Sequence, residues 1–176
     1  MASRDDALSH LLDKEAIREL VLLYARGVDR NDIDLLRSLY TDDAVDNHAD
    51  TYRGPAAGFL DFMARAMPRM LYSGHHICNH LIAVDGDDAQ GEVYCIGCDV
   101  QPDGAGGLRQ HMMAVRYIDR YRRCTDGKWR FAHREVNYDF RNLLPMTMPL
   151  SPRPAPQDDP SMTILSDRLF ARGARD

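Results

Sequence analysis

Apolar residues recur at intervals of three and four near the start of the chain. Ile17, Leu20, Tyr24 and Val28 form one stripe on a helix running from about Lys14, with Asp13 as its N-cap. Asn31-Asp32 supplies turn and cap chemistry ahead of a second short helix over Ile33–Tyr40, whose apolar side is Leu35, Leu36 and Leu39. A short strand is predicted near Ala44–His48. Tyr52-Arg53-Gly54-Pro55 reads as a turn into a third helix, with Pro55 near its first position, Phe59, Phe62, Met63 and Met67 along it, and Pro68 at its limit.

The period then changes from 3.6 to 2. Strands are predicted over 73–84, 89–100, 108–123 and 129–140, divided by Asp85-Gly86-Asp87-Asp88, by the stretch Pro102–Gly107 and by Thr125-Asp126-Gly127-Lys128. Three helices followed by a four-stranded antiparallel meander is an α+β arrangement. A strongly curved sheet wrapped around the helices would leave a cone-shaped cavity between them. After Leu144 the pattern stops, and six of the nine prolines fall between Pro145 and Pro160. A domain over 1–144 is therefore expected, followed by a proline-rich tail over 145–176. The tail should be extended, with a short helix near Ser161–Ala171, and could lie over the cavity mouth or a neighbouring subunit.

Composition narrows the function classes. The 176 residues carry 22 Lys+Arg against 27 Asp+Glu, a net charge of −5, which lacks the footprint of a nucleic-acid binder. Basic residues gather at Arg116, Arg120, Arg122, Arg123, Lys128, Arg130 and Arg134, but acidic residues punctuate them, as on solvated strand faces. No apolar run approaches the roughly 18 residues of a membrane span, and the start MASRDDALSH has no apolar leader core, so no membrane partner and a cytoplasmic location are expected. Cys78, Cys95, Cys98 and Cys124 read as free thiols. Cys95-Ile-Gly-Cys98 lies in a strand, where residues three apart face opposite ways, and no second pair completes a four-ligand set; no metal is expected.

Strand parity points to candidate chemistry. His76, Cys78, His80, Ile82 and Val84 share one face of the first long strand, and His75, Ile77, Asn79, Leu81 and Ala83 the other. Arg134 shares a face with Ala132, Val136 and Tyr138, where a charge needs a partner. Asp99 shares a face with Val93, Cys95 and Gly97, and Asp29 follows Tyr24 by five residues where the helical period ends. Polar residues at inward positions mark functional sites, although a lone inward histidine also reads as a satisfied core residue. A histidine held by a carboxylate has a fixed tautomer and serves as a general base near neutral pH. A tyrosine hydroxyl or an arginine can donate to an oxygen that gains charge. Such a set suits proton abstraction followed by β-elimination, or an enolisation, without a cofactor.

These residues also carry a family resemblance. Glu15-Ala-Ile-Arg-Glu-Leu, Tyr24-Ala-Arg-Gly-Val-Asp29, Leu39-Tyr-Thr-Asp-Asp-Ala44, Tyr52-Arg-Gly-Pro55, Ser73-Gly-His-His76-Ile-Cys-Asn-His80 and Asp126-Gly-Lys-Trp129-Arg-Phe-Ala-His-Arg134 stand in collinear order. Together they resemble the SnoaL-like group of nuclear transport factor 2-like proteins over about 140 residues. The resemblance implies a cone-shaped α+β barrel, with N-terminal helices packed against a strongly curved, mainly antiparallel sheet around a deep apolar pocket.

Within the group, the chain looks like the lyases scytalone dehydratase, bile-acid 7α-dehydratase and hexachlorocyclohexane dehydrochlorinase. Their His/Asp dyad maps onto His76 and Asp29, His76 being preferred to His75 for its strand register. Tyr24 stands where the bile-acid enzyme has a tyrosine and the dehydrochlorinase a lysine. A further pocket aspartate maps onto Asp99, the closing-hairpin arginine onto Arg134, and a second histidine near His111. The implied reaction is a cofactor-independent dehydration of an apolar cyclic or polycyclic substrate. In it His76 acts as base within reach of Asp29, Tyr24 and Asp99 assist departure of the hydroxyl, and Arg134 anchors Asp29 or another carboxylate. Met63, Met112, Tyr138 and His111 are expected to contact the substrate, Met67, Met70 and Met113 adding adaptable apolar surface. The same fold also hosts isomerases, polyketide cyclases and non-catalytic association domains, and a homo-oligomer, dimer or trimer, is expected from the group.

Overall fold

A computed structural model describes residues 3–146, 149–151, 154 and 158–165. Helix α1 (Arg4–Asp29) begins earlier than its apolar stripe, because Ser3 and Asp6 form a reciprocal capping box. Its first turns are exposed, so no apolar period announced them. Asp13 consequently lies inside the helix rather than at its cap. It accepts two hydrogen bonds from Arg123 at 2.6 and 2.8 Å and one from the Trp129 indole at 3.3 Å, fastening α1 to the far hairpin. The arginine bond holds the Asp13 carboxyl below its ordinary range, against the opposing effect of burial.

Helix α1 ends at Asp29, and Asn31 in the left-handed region (φ 56°) turns the chain. Asp32 then caps α2 (Ile33–Ser38) through the Leu35 amide. Gly27 lets the two helices close, since a Cβ there would stand 2.7 Å from the Leu36 side chain. Strand β1 (Tyr40–His48) is longer than predicted, and β2 (Tyr52–Pro55) pairs with it where a turn was expected. Helix α3 (Ala56–Ala66) follows, closed by a single 3₁₀ turn over Met67–Arg69.

Strands β3 (Tyr72–Asp85), β4 (Asp88–Pro102), β5 (Leu108–Arg123) and β6 (Trp129–Pro145) make the expected antiparallel meander. The β3–β4 turn has two residues, and Gly86 supplies its positive φ of 60°. The sheet is mixed and six-stranded, in the order β2-β1-β6-β5-β4-β3, because β1 adds parallel to β6. It curls around α1 and α3 without closing, as an α+β cone. Beyond β6, a short helix α4 (Ser161–Ile164) covers the start of the predicted tail helix; the remainder, 166–171, lies outside the described residues. Arg30 pairs with Asp159 at 2.9 Å and Arg26 donates to Ser161 at 3.0 Å, which sets α4 against the end of α1.

Two of the register shifts in the sheet decide which side chains face inward on β3 and at the start of β6. Between Ile77 and His80, three steps of β3 oppose two of β4 (Ile77 pairs Cys95, His80 pairs Val93), so the alternation slips by one residue. Ser73, His75 and Ile77 point inward before it, and His80, Ile82 and Val84 after it. Strand β6 slips likewise between the partners of Arg120 and Tyr121, which puts Trp129 and Phe131 inside together with Arg134, Val136 and Tyr138.

The centre of the core is a charge. Arg134 is 0% exposed and Asp119 2%, joined by two parallel hydrogen bonds of 2.8 and 2.7 Å. The guanidinium carbon sits 4.2, 4.3 and 4.1 Å from the ring centres of Tyr24, Tyr117 and Phe131. Arg134 thus anchors Asp119, not Asp29. Tyr121 donates to Asp119 at 3.0 Å and shares a bond of 3.2 Å with His80, whose burial pushes its imidazole down to about 4. Arg134 Nη1 has no hydrogen-bond partner among the described residues.

Removing one member of a buried pair strands the other charge, which typically costs about 3–5 kcal/mol, whereas an apolar pair of like volume is tolerated. Arg134→Met and Asp119→Leu should each lower urea-unfolding stability by about that amount, and the double variant by less than either single one. Additive losses would show that the two side chains do not act as a pair.

Candidate active site

The curled sheet and the two long helices enclose a cavity of about 710 Å³, within the usual range for a drug-sized ligand. Val28 of α1, Phe59, Phe62 and Met63 of α3, and Met70 and Met113 make its apolar wall. His48, His75, Asp99, His111 and Tyr138 contribute the polar positions, and Arg69 and Arg141 stand among the remaining lining residues. Gly97 helps keep this space open: it lies between His75 and Met113 in the sheet and adds no side chain.

Asp29 reaches β3 from the last position of α1. One carboxylate oxygen accepts from the His75 amide at 2.9 Å. The other lies 2.7 Å from His75 Nδ1 and 3.1 Å from the Ser73 hydroxyl. Burial pushes the carboxyl up, but His75, through its ring and amide, and Ser73 outweigh it and hold Asp29 below the usual carboxylate range. A carboxylate facing Nδ1 fixes the proton there, which leaves Nε2 with a free lone pair. Tyr24 stands beside this pair, its ring centre 6.4 Å from that of His75 and edge-on to it. Burial raises the Tyr24 hydroxyl well above its ordinary range, so it stays a donor.

The histidine of this pair is His75, and the expectation for His76 is corrected. His76 is exposed on the outer face, where its ring nitrogen meets the Ile96 carbonyl at 3.3 Å. The bulge at Cys78–Asn79 is the reason: uninterrupted alternation tied His76 to the inward Ile82 and Val84, and the slip reverses that assignment.

The other predicted positions divide. Tyr24, Met63, Asp99, His111 and Tyr138 line the cavity. Asp99, opposite Ser73 in the β3–β4 register, meets His111 Nδ1 at 3.3 Å and accepts from Gln101 at 2.7 Å. Met112 does not reach the cavity: inward positions of β5 are the odd-numbered ones, so Met112 is exposed and Met113 takes its place. The cysteines are free thiols; Cys95 is buried, which pushes its thiol up to about 11, and Cys98 borders the cavity. Among the described residues no cluster of three His, Cys, Asp or Glu side chains is placed to hold a metal ion, and no helix is long and apolar enough to cross a membrane.

Sequence reasoning missed three site or core residues. Asp119 alternates with Tyr117 and Tyr121, and Asp46 and His48 alternate with Ala44, so each sits at an inward position of its strand. The available signal was the same one that marked Asp99: a charged or polar residue in phase with apolar ones.

Solved structures of similar shape put this geometry in context. A type 2 hexachlorocyclohexane dehydrochlorinase superposes with a TM-score of 0.71 at 24% identity, over 83% of this chain and 97% of that one. A provisionally assigned scytalone dehydratase from Novosphingobium aromaticivorans DSM 12444 gives 0.67 at 17% identity, over 82% and 93%. A provisionally assigned aromatic ring hydroxylase from Novosphingobium aromaticivorans gives 0.66 at 27% identity, over 77% and 94%. No curated protein matches the sequence significantly. The family model described as the SnoaL-like domain matches residues 9–135, from the second turn of α1 into β6, and the chain belongs to that family.

Proposed function

We propose that the protein is a lyase that eliminates a hydroxyl group from an apolar cyclic or polycyclic substrate. One observation carries the reading: His75 lines a deep cleft with an apolar wall, and because Asp29 engages its Nδ1 at 2.7 Å, Nε2 is left available to a molecule bound there. In that setting His75 Nε2 takes a proton from a carbon next to a carbonyl or conjugated system. Asp29 holds the ring and stabilises the imidazolium that forms. Tyr24 donates to the substrate oxygen on which charge develops, while Asp99 and His111 orient the polar end. Met63, Met70, Met113 and Tyr138 supply adaptable apolar contact. These steps use side chains alone. The dehydrochlorinase and dehydratase names among the structural neighbours fit an elimination.

An isomerase would use the same base and differs only in the fate of the carbanion, so the product mass separates the two. Incubation with a panel of hydroxylated cyclic ketones, read by mass spectrometry, should reveal loss of one water. His75→Gln should lower turnover by about 10²–10⁴-fold, the usual contribution of a general base, and His76→Gln should leave it unchanged. Full activity in the His75 variant would refute the assignment, and a product of unchanged mass would move the protein to the isomerases.

The outer sheet face supports a homo-oligomer. Leu81 (68% exposed), Ile118, Tyr94, Met112 and Phe140 lie uncovered on strands whose other face packs on the helices. Sedimentation should show a dimer or trimer that Leu81→Asp and Ile118→Asp dissociate; a monomeric wild type would exclude it.

A further inference from the structure

A second carboxylate–imidazole unit reaches the same cavity through its histidine, His48. Asp46 of β1 is 0% exposed, accepts from the Tyr40 hydroxyl at 2.8 Å, and lies 3.4 Å from His48 Nδ1. The His48 ring stacks on Phe59, 4.7 Å between centres and 15° from parallel, and meets the edge of Tyr138 at 6.4 Å. Clamped in this way, the ring lines the cavity. His48 and His75 stand on β1 and β3, with β6, β5 and β4 between them in the curled sheet. They therefore reach one chamber from strands near opposite edges of the sheet.

Elimination of a hydroxyl needs this kind of partner. Hydroxide is a poor leaving group, so the departing oxygen must receive a proton as its bond to carbon breaks. Tyr24 is ill suited to give one up, because burial strengthens its hold on the phenolic proton. His111 stands beside the base: its carboxylate, Asp99, pairs in the sheet with Ser73, two residues from His75. His48, separated from the base by three strands of the sheet, is better placed to meet the leaving group while His75 occupies the carbon-bound proton.

We infer that His48, held by Asp46, is the acid that protonates the departing oxygen while His75 removes the carbon-bound proton. This rests on the elimination reading above. The C–H pair becomes the new C=C bond, its proton goes to His75 Nε2, the C–O bond breaks, and the proton on His48 Nε2 leaves with the oxygen as water. His75 ends as imidazolium and His48 neutral; passage of one proton from the first to the second through solvent restores both.

Two substrates that differ only at the leaving group test the assignment: 3-hydroxy-1-decalone, which needs an acid, and its 3-acetoxy ester, whose carboxylate departs unaided. His48→Gln should lower kcat on the alcohol by about 10²-fold and on the ester by less than about 3-fold, as expected when only general-acid assistance is lost. Retained turnover of the ester is also the control for folding. His75→Gln should lose both substrates. Equal losses on the two substrates, or none, in the His48 variant would overturn the inference while leaving the elimination reading intact. If the wild type acts on neither decalone, the elimination reading falls and this assignment with it.

Discussion

The buried guanidinium of Arg134 is the constraint around which the domain is arranged. Taking an arginine and an aspartate out of water carries a desolvation penalty of several kcal/mol per ion, recovered only with excellent geometry. Here two parallel hydrogen bonds to Asp119 meet that demand from β5, and three aromatic rings cover the remaining faces of the cation. A desolvated cation over an aromatic face contributes about 2 kcal/mol or more. One of those rings is Tyr24, so the same contact that solvates the charge locks α1 against the sheet. Asp29 sits five residues further along that helix, and its reach to β3 follows from where Tyr24 is held.

The second constraint is the shape of the sheet. Long antiparallel strands with bulges bend and twist more strongly than regular ones. In this chain register shifts fall at Cys78–Asn79 in β3, in β6 beside Ala114–Val115 and Arg120–Tyr121, and in the β1–β6 pairing between Tyr40 and Val45, and they accompany the curl of the sheet around the helices. The curl leaves a chamber that the core does not fill. Its walls are lined by three imidazoles, His48, His75 and His111, each backed by a carboxylate. A polar group in an apolar wall is costly unless it is hydrogen-bonded, and for His48 and His75 the bonds to Asp46 and Asp29 meet that requirement.

Much of this was legible in the sequence, for physical reasons. The helical stripe of Ile17, Leu20, Tyr24 and Val28 and the four alternating strands follow from periods of 3.6 and 2, and they gave the α+β class. Asp29, Asp99 and Arg134 stood out because a charge in phase with apolar neighbours needs a partner. The identity of Arg134's partner was not legible, since Asp119 is fifteen residues away and the pairing depends on a register that bulges shift. The choice of His76 over His75 failed for the same cause. Alternation is a reliable guide only within an uninterrupted ladder, and nothing in Ser73–Asp85 announces the extra residue. The parallel pairing of β1 with β6, which brings Asp46 and His48 to the chamber, joins segments some 90 positions apart and leaves no local trace.

The central claim is that Asp29 holds His75, and not His76, with one ring nitrogen fixed and the other free toward the cavity. A long-range ¹H–¹⁵N correlation spectrum of the histidine rings tests this directly. Above the range where the imidazoles are protonated, His75 should appear as a single tautomer protonated at Nδ1, and Asp29→Asn should abolish that preference. His76 should show the averaged tautomers of an exposed ring in both proteins. A tautomer-averaged His75 in the wild type, or a fixed His76 that responds to Asp29→Asn, would contradict the account.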